Sequence, residues 1–212
     1  MNKTFCIYPK DLTTDFLAPV YNAFMEAENM YGISGDSSED VFYDTLTMSL
    51  GSQDIHSFIF LGHGCSSSLY GNNFSELITA DDLMPINDKI LIFFACNSSQ
   101  LMKKIGAKKG IGFGFIPSGK DDILHSSKFH DLDLSPMQSV DWSYLRNMYQ
   151  KCWVRAIESL KDISNVYDLY KRLDLFLNKA IVETLMNFTM ANRVLISNIL
   201  YYVKKDMVIF NS

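Results

Sequence analysis

Two stretches of the chain are continuously apolar: Ser57-Phe58-Ile59-Phe60-Leu61, ended by Gly62, and Ile90-Leu91-Ile92-Phe93-Phe94, entered from Lys89. Runs of this length without polar alternation suit strands covered on both faces, as in a parallel sheet. Thr4 to Tyr8, closed by Pro9, reads as a first strand, and Gly110 to Phe115 as a later one. Between them apolar positions recur at helical spacing. Asp15 is placed to start a helix carrying Leu17, Val20, Tyr21, Phe24 and Met25, with Pro19 tolerated in its first turn. A second helix is expected over Glu39 to Leu50, with Val41, Leu46 and Leu50 directed inward. Thr79 to Leu83 reads as a capped helical turn, and Ser98 to Ile105 as a further helix. Strands alternating with helices predict an α/β fold: a mostly parallel sheet with helices on both faces.

After Pro136 the texture becomes helical. Leu145, Met148, Tyr149, Cys152, Ala156 and Leu160 share one stripe, and Val166, Leu169, Leu173, Phe176, Leu177, Ile181 and Leu185 share another. A last helix over Asn192 to Val203 and a short strand over Met207 to Phe210 follow. Residues 137–205 are thus expected as a mainly helical portion covering one face of the sheet, within a single domain over residues 1–212.

Composition narrows the function classes. Apolar residues make up 48% and charged residues 20% of 212, which fits a packed globular chain. The net charge of -5 offers no basic stripe for nucleic acid, and Lys103, Lys104, Lys108 and Lys109 read as a solvated face. The longest apolar stretch, Ile90 to Cys96, is far short of a membrane span, and the N-terminal apolar run is too short for an export signal. No membrane partner and a cytoplasmic location are expected. Cys6, Cys65, Cys96 and Cys152 form no Cys-x-x-Cys pair and have no zinc-finger histidines beside them. Neither a metal nor a disulfide framework is expected, and reduced thiols fit the cytosol. Pro9-Lys10-Asp11 follows the first strand where a phosphate binder would carry a glycine-rich loop, which weakens a flavodoxin-like reading; no cofactor is expected.

Candidate chemistry lies at two strand ends. In open parallel sheets, ligands and catalytic groups collect beyond the carboxyl ends of the strands. One buried strand runs into His63-Gly64 and the other into Cys96-Asn97-Ser98. If the strands are neighbours, His63 and Cys96 face each other. A thiol is only a few per cent thiolate at neutral pH, and a histidine can take its proton and return it to a leaving amine. The helix start at Ser98 would favour thiolate. Gly64, lacking a side chain, lets its N–H approach a substrate, and with the N–H of Cys96 it would make an oxyanion hole. Cys65 is the competing thiol. Alternation along an extended backbone is read as turning it away from His63, so Cys96 is the expected nucleophile. His56, His125 and His130 read as surface or loop residues, and Asn97 and Ser98 as helix caps.

The string Phe60-Leu61-Gly62-His63-Gly64, followed by Phe93-Phe94-Ala95-Cys96-Asn97-Ser98, resembles the His-Gly and Ala-Cys signatures of the caspase-like (clan CD) cysteine peptidases, most closely their CHAT branch. The branch has a small hairpin after His-Gly, here Ser66 to Phe74, and then a Leu-Thr-x-x-Asp-Leu turn, here Ile78 to Leu83. A Gly-Ala turn, Ile105-Gly106-Ala107, and another strand follow the Cys helix. The likeness covers about residues 54 to 122. Asn97 stands where the family often has an acidic residue, and the interval from His63 to Cys96 is short. The resemblance implies a caspase-like three-layer fold and a cysteine endopeptidase acting on a protein substrate through an acyl-enzyme. It puts Asp121 and Asp122 at the rim that shapes the substrate pocket. A domain this small resembles the effector half of a two-part system, which implies a separate regulatory or sensor protein. The alternative is a pseudo-peptidase that serves as an interaction module.

Overall fold

A computed structural model of the chain describes residues 3–120, 129–160 and 165–211. The first strand, β1 (Lys3–Pro9), leads through a single 3-10 turn into helix α1 (Ala18–Met25) and the strand β2 (Met30–Gly35). Helix α2 (Asp40–Gly51) and strand β3 (Ile55–Leu61) follow. Three short strands come next, β4 (His63–Gly64), β5 (Ser68–Tyr70) and β6 (Glu76–Thr79), and then the turn-length helix α3 (Ala80–Leu83). Strand β7 (Ile90–Phe94), helix α4 (Ser98–Lys104) and strand β8 (Lys109–Gly112) complete the α/β pattern. Helices α5 (Ser139–Glu158), α6 (Val166–Leu185) and α7 (Arg193–Lys205) and the strand β9 (Val208–Asn211) form the C-terminal part.

Six strands make one sheet in the order β2-β1-β3-β7-β8-β9, parallel except for β9, which runs antiparallel to β8. The fold is therefore α/β, with a mostly parallel sheet between two helical layers and a helical C-terminal part, as the apolar pattern predicts. The period-two alternation of the strands divides their side chains between two cores. Cys6, Tyr8, Ile59, Leu61, Ile92 and Phe94 pack with α1, α5, α6 and α7. Phe5, Ile7, Phe58, Phe60, Leu91 and Phe93 pack with α2, α3 and α4. This double burial is why β3 and β7 carry no polar alternation.

Several local details differ from expectation. The inward face of α2 is Phe42, Leu46 and Ser49, three positions on one side of a 3.6-residue turn; Val41, one step round the helix, is 74% exposed. Strand β2 carries no strong apolar signal, because it is an edge strand whose residues are mostly half-buried. Strand β8 ends at Gly112 rather than Phe115. Beyond it the chain leaves the ladder and its carbonyls turn to the start of α4: Asn97 N–H donates to Gly114 O at 2.8 Å and Ser99 N–H to Phe113 O at 2.9 Å. Gly110 sits at φ +151 with an ideal Cβ 1.8 Å from Leu91 O, so only glycine lets β8 approach β7 there.

An aromatic cluster sets the height of α5 under the carboxyl end of the sheet. Phe94 meets Phe113, Tyr149 and Trp153 at centroid distances of 5.2, 6.1 and 5.1 Å. Tyr149 also donates from its hydroxyl to Pro117 O at 3.1 Å, tying α5 to the segment that follows β8. Among the described residues, no helix is long and apolar enough to cross a membrane.

Candidate active site

The carboxyl ends of β1, β3, β7 and β8 form one rim. Strands β3 and β7 are direct neighbours in register Leu61↔Phe94, and Gly62 N–H donates to Phe94 O at 3.2 Å beyond the last paired residues. The next residues of the two strands therefore stay side by side. A Cβ built on Gly64 would lie 3.0 Å from the Cβ of Ala95 and 3.3 Å from the carbonyl oxygen of Cys96. Gly64 thus lies against Ala95 and the Cys96 carbonyl, and a side chain at position 64 would wedge the two segments apart.

Each partner is oriented by the loop on its outer side. The thiol of Cys96 lies against Ile116: the Ile116 N–H points to Sγ at 3.3 Å and Sγ reaches Ile116 O at 3.4 Å. Asn97 adopts the left-handed conformation (φ 55), tolerated by Asn, and this sharp turn carries the chain from β7 into α4. Asn97 occupies the cap position without a side-chain cap bond. Ser98, fully buried, is the first residue of α4 and not its cap: its hydroxyl donates to Phe93 O and accepts from Phe113 N–H, pinning the turn to β7 and to the segment after β8.

His63 is held from the β1 side. Its Nε2 lies 2.6 Å from the hydroxyl oxygen of Thr13 and 3.8 Å from Oδ1 of Asp11, and its ring lies against Phe74 at a centroid distance of 4.4 Å. Asp11 opens the tight turn that follows β1, with Thr14 N–H donating to Asp11 O at 3.0 Å. Its carboxylate accepts from the hydroxyl and N–H of Thr13 and from Asn73 N–H. Burial pushes the Asp11 carboxyl up, but these hydrogen bonds and the nearby His63 outweigh it and hold the group below its ordinary value. Asp11 and Thr13 were not legible as site residues, since what brings them to His63 is the β1–β3 pairing.

Gly64 N–H is set up for an acceptor. The β4–β5 hairpin closes with Cys65 N–H donating to Ser68 O at 2.9 Å, and Gly64 pairs with Leu69. In an antiparallel ladder, hydrogen-bonded and non-hydrogen-bonded pairs alternate, so the N–H of Gly64 turns away from β5.

Cys65 needs a correction. Gly64 separates it from His63, and residues i and i+2 of an extended strand share a face, so alternation does not turn the two apart. Its thiol is approached by the Tyr70 hydroxyl at 3.1 Å, the Ser67 hydroxyl at 3.2 Å and Ser67 N–H at 3.4 Å. Burial would push this thiol up, yet the donated hydrogen bonds prevail and bring it below its ordinary value. Burial pushes the thiols of Cys6 and Cys152 up, Cys152 to about 12.

Asp121, Asp122 and His125 lie outside the described residues. His130, read as a surface or loop residue, is paired with Asp206 at 2.7 Å and stacked on Tyr202 at 3.9 Å. Asp206 in turn packs against Gly114, just beyond β8. His56, on β3, is exposed, and its Nδ1 lies 3.0 Å from Asp54 O. A groove of about 360 Å³ between α1 and α5, lined among others by Asn22, Glu26, Lys151 and Arg155, contains neither His63 nor Cys96. Among the described residues, no group of three or more His, Cys, Asp or Glu is arranged to hold a metal ion. In comparisons with known proteins, no family model and no curated sequence matches the chain.

Proposed function

We propose that the chain is a cysteine endopeptidase of the caspase-like, CHAT-type kind, with Cys96 as nucleophile and His63 as general base and acid. The observation that supports this reading is the pairing of β3 with β7 and the close approach of Gly64, next to His63, to Ala95 and Cys96 at the carboxyl rim of the sheet. A proton passes from Cys96 Sγ to the His63 imidazole, and the thiolate adds to the scissile carbonyl carbon. The carbonyl electrons move to oxygen, where the N–H groups of Gly64 and Cys96 donate hydrogen bonds to the developing oxyanion. Collapse expels the amine, which takes the proton from His63 and leaves a thioester. Water, deprotonated by His63, then hydrolyses the thioester and returns the Cys96 thiol.

In this reading the substrate is a protein, Asp121 or Asp122 selects a basic residue before the scissile bond, and a separate regulatory protein switches the enzyme on in the cytoplasm. A second reading makes Cys65 the nucleophile; it is favoured by the donors around its sulfur, which stabilise thiolate without the aid of His63. One experiment separates the two. The protein is treated with a panel of peptidyl acyloxymethyl ketones and the adduct is located by peptide mass spectrometry. The expected result is a single adduct on Cys96, lost in Cys96→Ala, slowed by orders of magnitude in His63→Ala and retained in Cys65→Ala. An adduct on Cys65 that survives Cys96→Ala, with both variants folded, overturns the assignment.

A further inference from the structure

The hydrogen bonds of the Thr13 hydroxyl indicate which nitrogen of His63 carries a hydrogen. The ionised carboxylate of Asp11 can only accept hydrogen bonds, and a threonine hydroxyl has one hydrogen to give. That hydrogen goes to Asp11 Oδ1. The Thr13 oxygen, 2.6 Å from His63 Nε2, is therefore left to accept, and the ring nitrogen facing it must carry the hydrogen. Asp11 is itself fixed: Thr13 N–H donates to Oδ1 at 2.8 Å and Asn73 N–H to Oδ2 at 3.2 Å. The side chains of His63 and Asp11 are 16% and 13% exposed, so water competes little for these bonds.

We infer that Asp11 and Thr13 are positioning residues that lock neutral His63 in its Nε2–H tautomer through a relay from Nε2–H to the Thr13 hydroxyl to the Asp11 carboxylate. The inference rests on the Cys96–His63 reading and assigns the basic nitrogen within it. With Nε2 protonated, the lone pair of the neutral ring is on Nδ1, and Nδ1 takes the proton of Cys96. The resulting imidazolium keeps its Nε2–H bond to Thr13, and the carboxylate of Asp11, 3.8 Å from Nε2, offsets its positive charge. Nδ1–H then passes its proton to the leaving amine, and the relay returns to its starting state with no hydrogen moved along it.

A short Asp-x-Thr turn is a common local motif, in which the carboxylate satisfies its own turn. A purely local role would not concern the histidine. The test reads the tautomer itself. In uniformly 15N-labelled protein, long-range 15N–1H correlations of the His63 ring, assigned by their loss in His63→Gln, identify which nitrogen bears hydrogen. In parallel, the rate of Cys96 alkylation by iodoacetamide at neutral pH is followed by peptide mass spectrometry. The expected wild-type signature is Nε2–H. Thr13→Val, which keeps the shape but cannot accept, should shift the ring towards the Nδ1–H form and slow Cys96 alkylation by about 10-fold to 100-fold, because the base remains but in the wrong form. Thr13→Ser should restore both readings.

A wild-type Nδ1–H signature, or a tautomer unmoved by Thr13→Val, overturns the relay. If His63→Gln still slows Cys96 in that case, the Cys–His reading survives without it. A tautomer that shifts as expected, with Cys96 indifferent to Thr13→Val and His63→Gln alike, refutes the Cys–His reading and the relay's role with it. Should Thr13→Val fail to fold, the wild-type signature alone still decides which nitrogen is protonated.

Discussion

The contact between the two site segments can be tested by filling it. In Gly64→Ala the new Cβ lies 3.0 Å from Ala95 Cβ, 3.3 Å from the Cys96 carbonyl oxygen and 3.3 Å from Leu69 Cδ2. Carbon atoms in good contact sit about 3.5–4.0 Å apart, so one segment must move by roughly half an ångström. None of the three neighbours can yield cheaply. Ala95 and Leu69 are almost fully buried, and the third is backbone. Overpacking of this kind costs about 1–3 kcal/mol, which urea denaturation resolves as a lower midpoint with unchanged slope. The same displacement separates His63 from Cys96, and misplacement by about 1 Å can cost on the order of 10²-fold in rate. Alkylation of Cys96 should therefore slow by more than the stability change alone would explain. Gly51→Ala serves as control, since its Cβ meets nothing within 4 Å. It should be neutral or raise stability by up to about 1 kcal/mol. A Gly64→Ala protein with wild-type stability and wild-type Cys96 reactivity would show that the two segments do not touch as described.

Two further outcomes follow from the burial and charge of individual groups. Alkylation of the native protein at neutral pH should modify Cys65 and Cys96 and spare Cys6 and Cys152 until urea unfolds the chain; peptide mass spectrometry that finds Cys152 labelled as fast as Cys65 contradicts the packing of α5 against α6. The Asp11 carboxyl is held below its ordinary value of about 3.9, so around that pH the unfolded chain binds more protons than the native one and stability rises with pH. The stabilisation is complete above the unfolded value and is lost as pH falls through the folded one. The gap in unfolding free energy between wild type and Asp11→Asn should close on acidification, and a gap constant across that range would show the hydrogen bonds to Asp11 to be absent.

The parts of the fold legible in the sequence are those fixed by burial on both faces. Ile90–Phe94 was readable to the residue, because a strand between two helical layers has no polar position to blur its ends. The helices α5 and α6 announce themselves in the same way, through long apolar stripes. Edge and rim elements are quieter. Strand β2 needs little apolar surface, and Val41 misleads because an apolar residue beside the true stripe looks the same in sequence as one within it. His63 and Cys96 could be picked out because glycine, histidine and cysteine at strand ends are chemically conspicuous. Asp11 and Thr13 could not, since their local spelling is that of any turn and only the pairing of β1 with β3 brings them to the histidine. The donors around Cys65 stayed hidden for a related reason: Tyr70 lies across a hairpin whose register the short strands do not specify.

The antiparallel strand β9 has a consequence for the order in which the chain can be assembled. Every other pairing in the large sheet joins strands within residues 3–112, and these can form as that segment becomes available. Strand β8 then still presents one open edge, beside the residues that anchor the Cys96 turn. That edge is closed only when residues 208–211 arrive after three long helices. Closing so large a loop is entropically slow, and an open edge meanwhile is a template for pairing with another chain. A nascent or truncated protein lacking β9 would therefore be prone to self-association through β8, before its rim had taken its final shape.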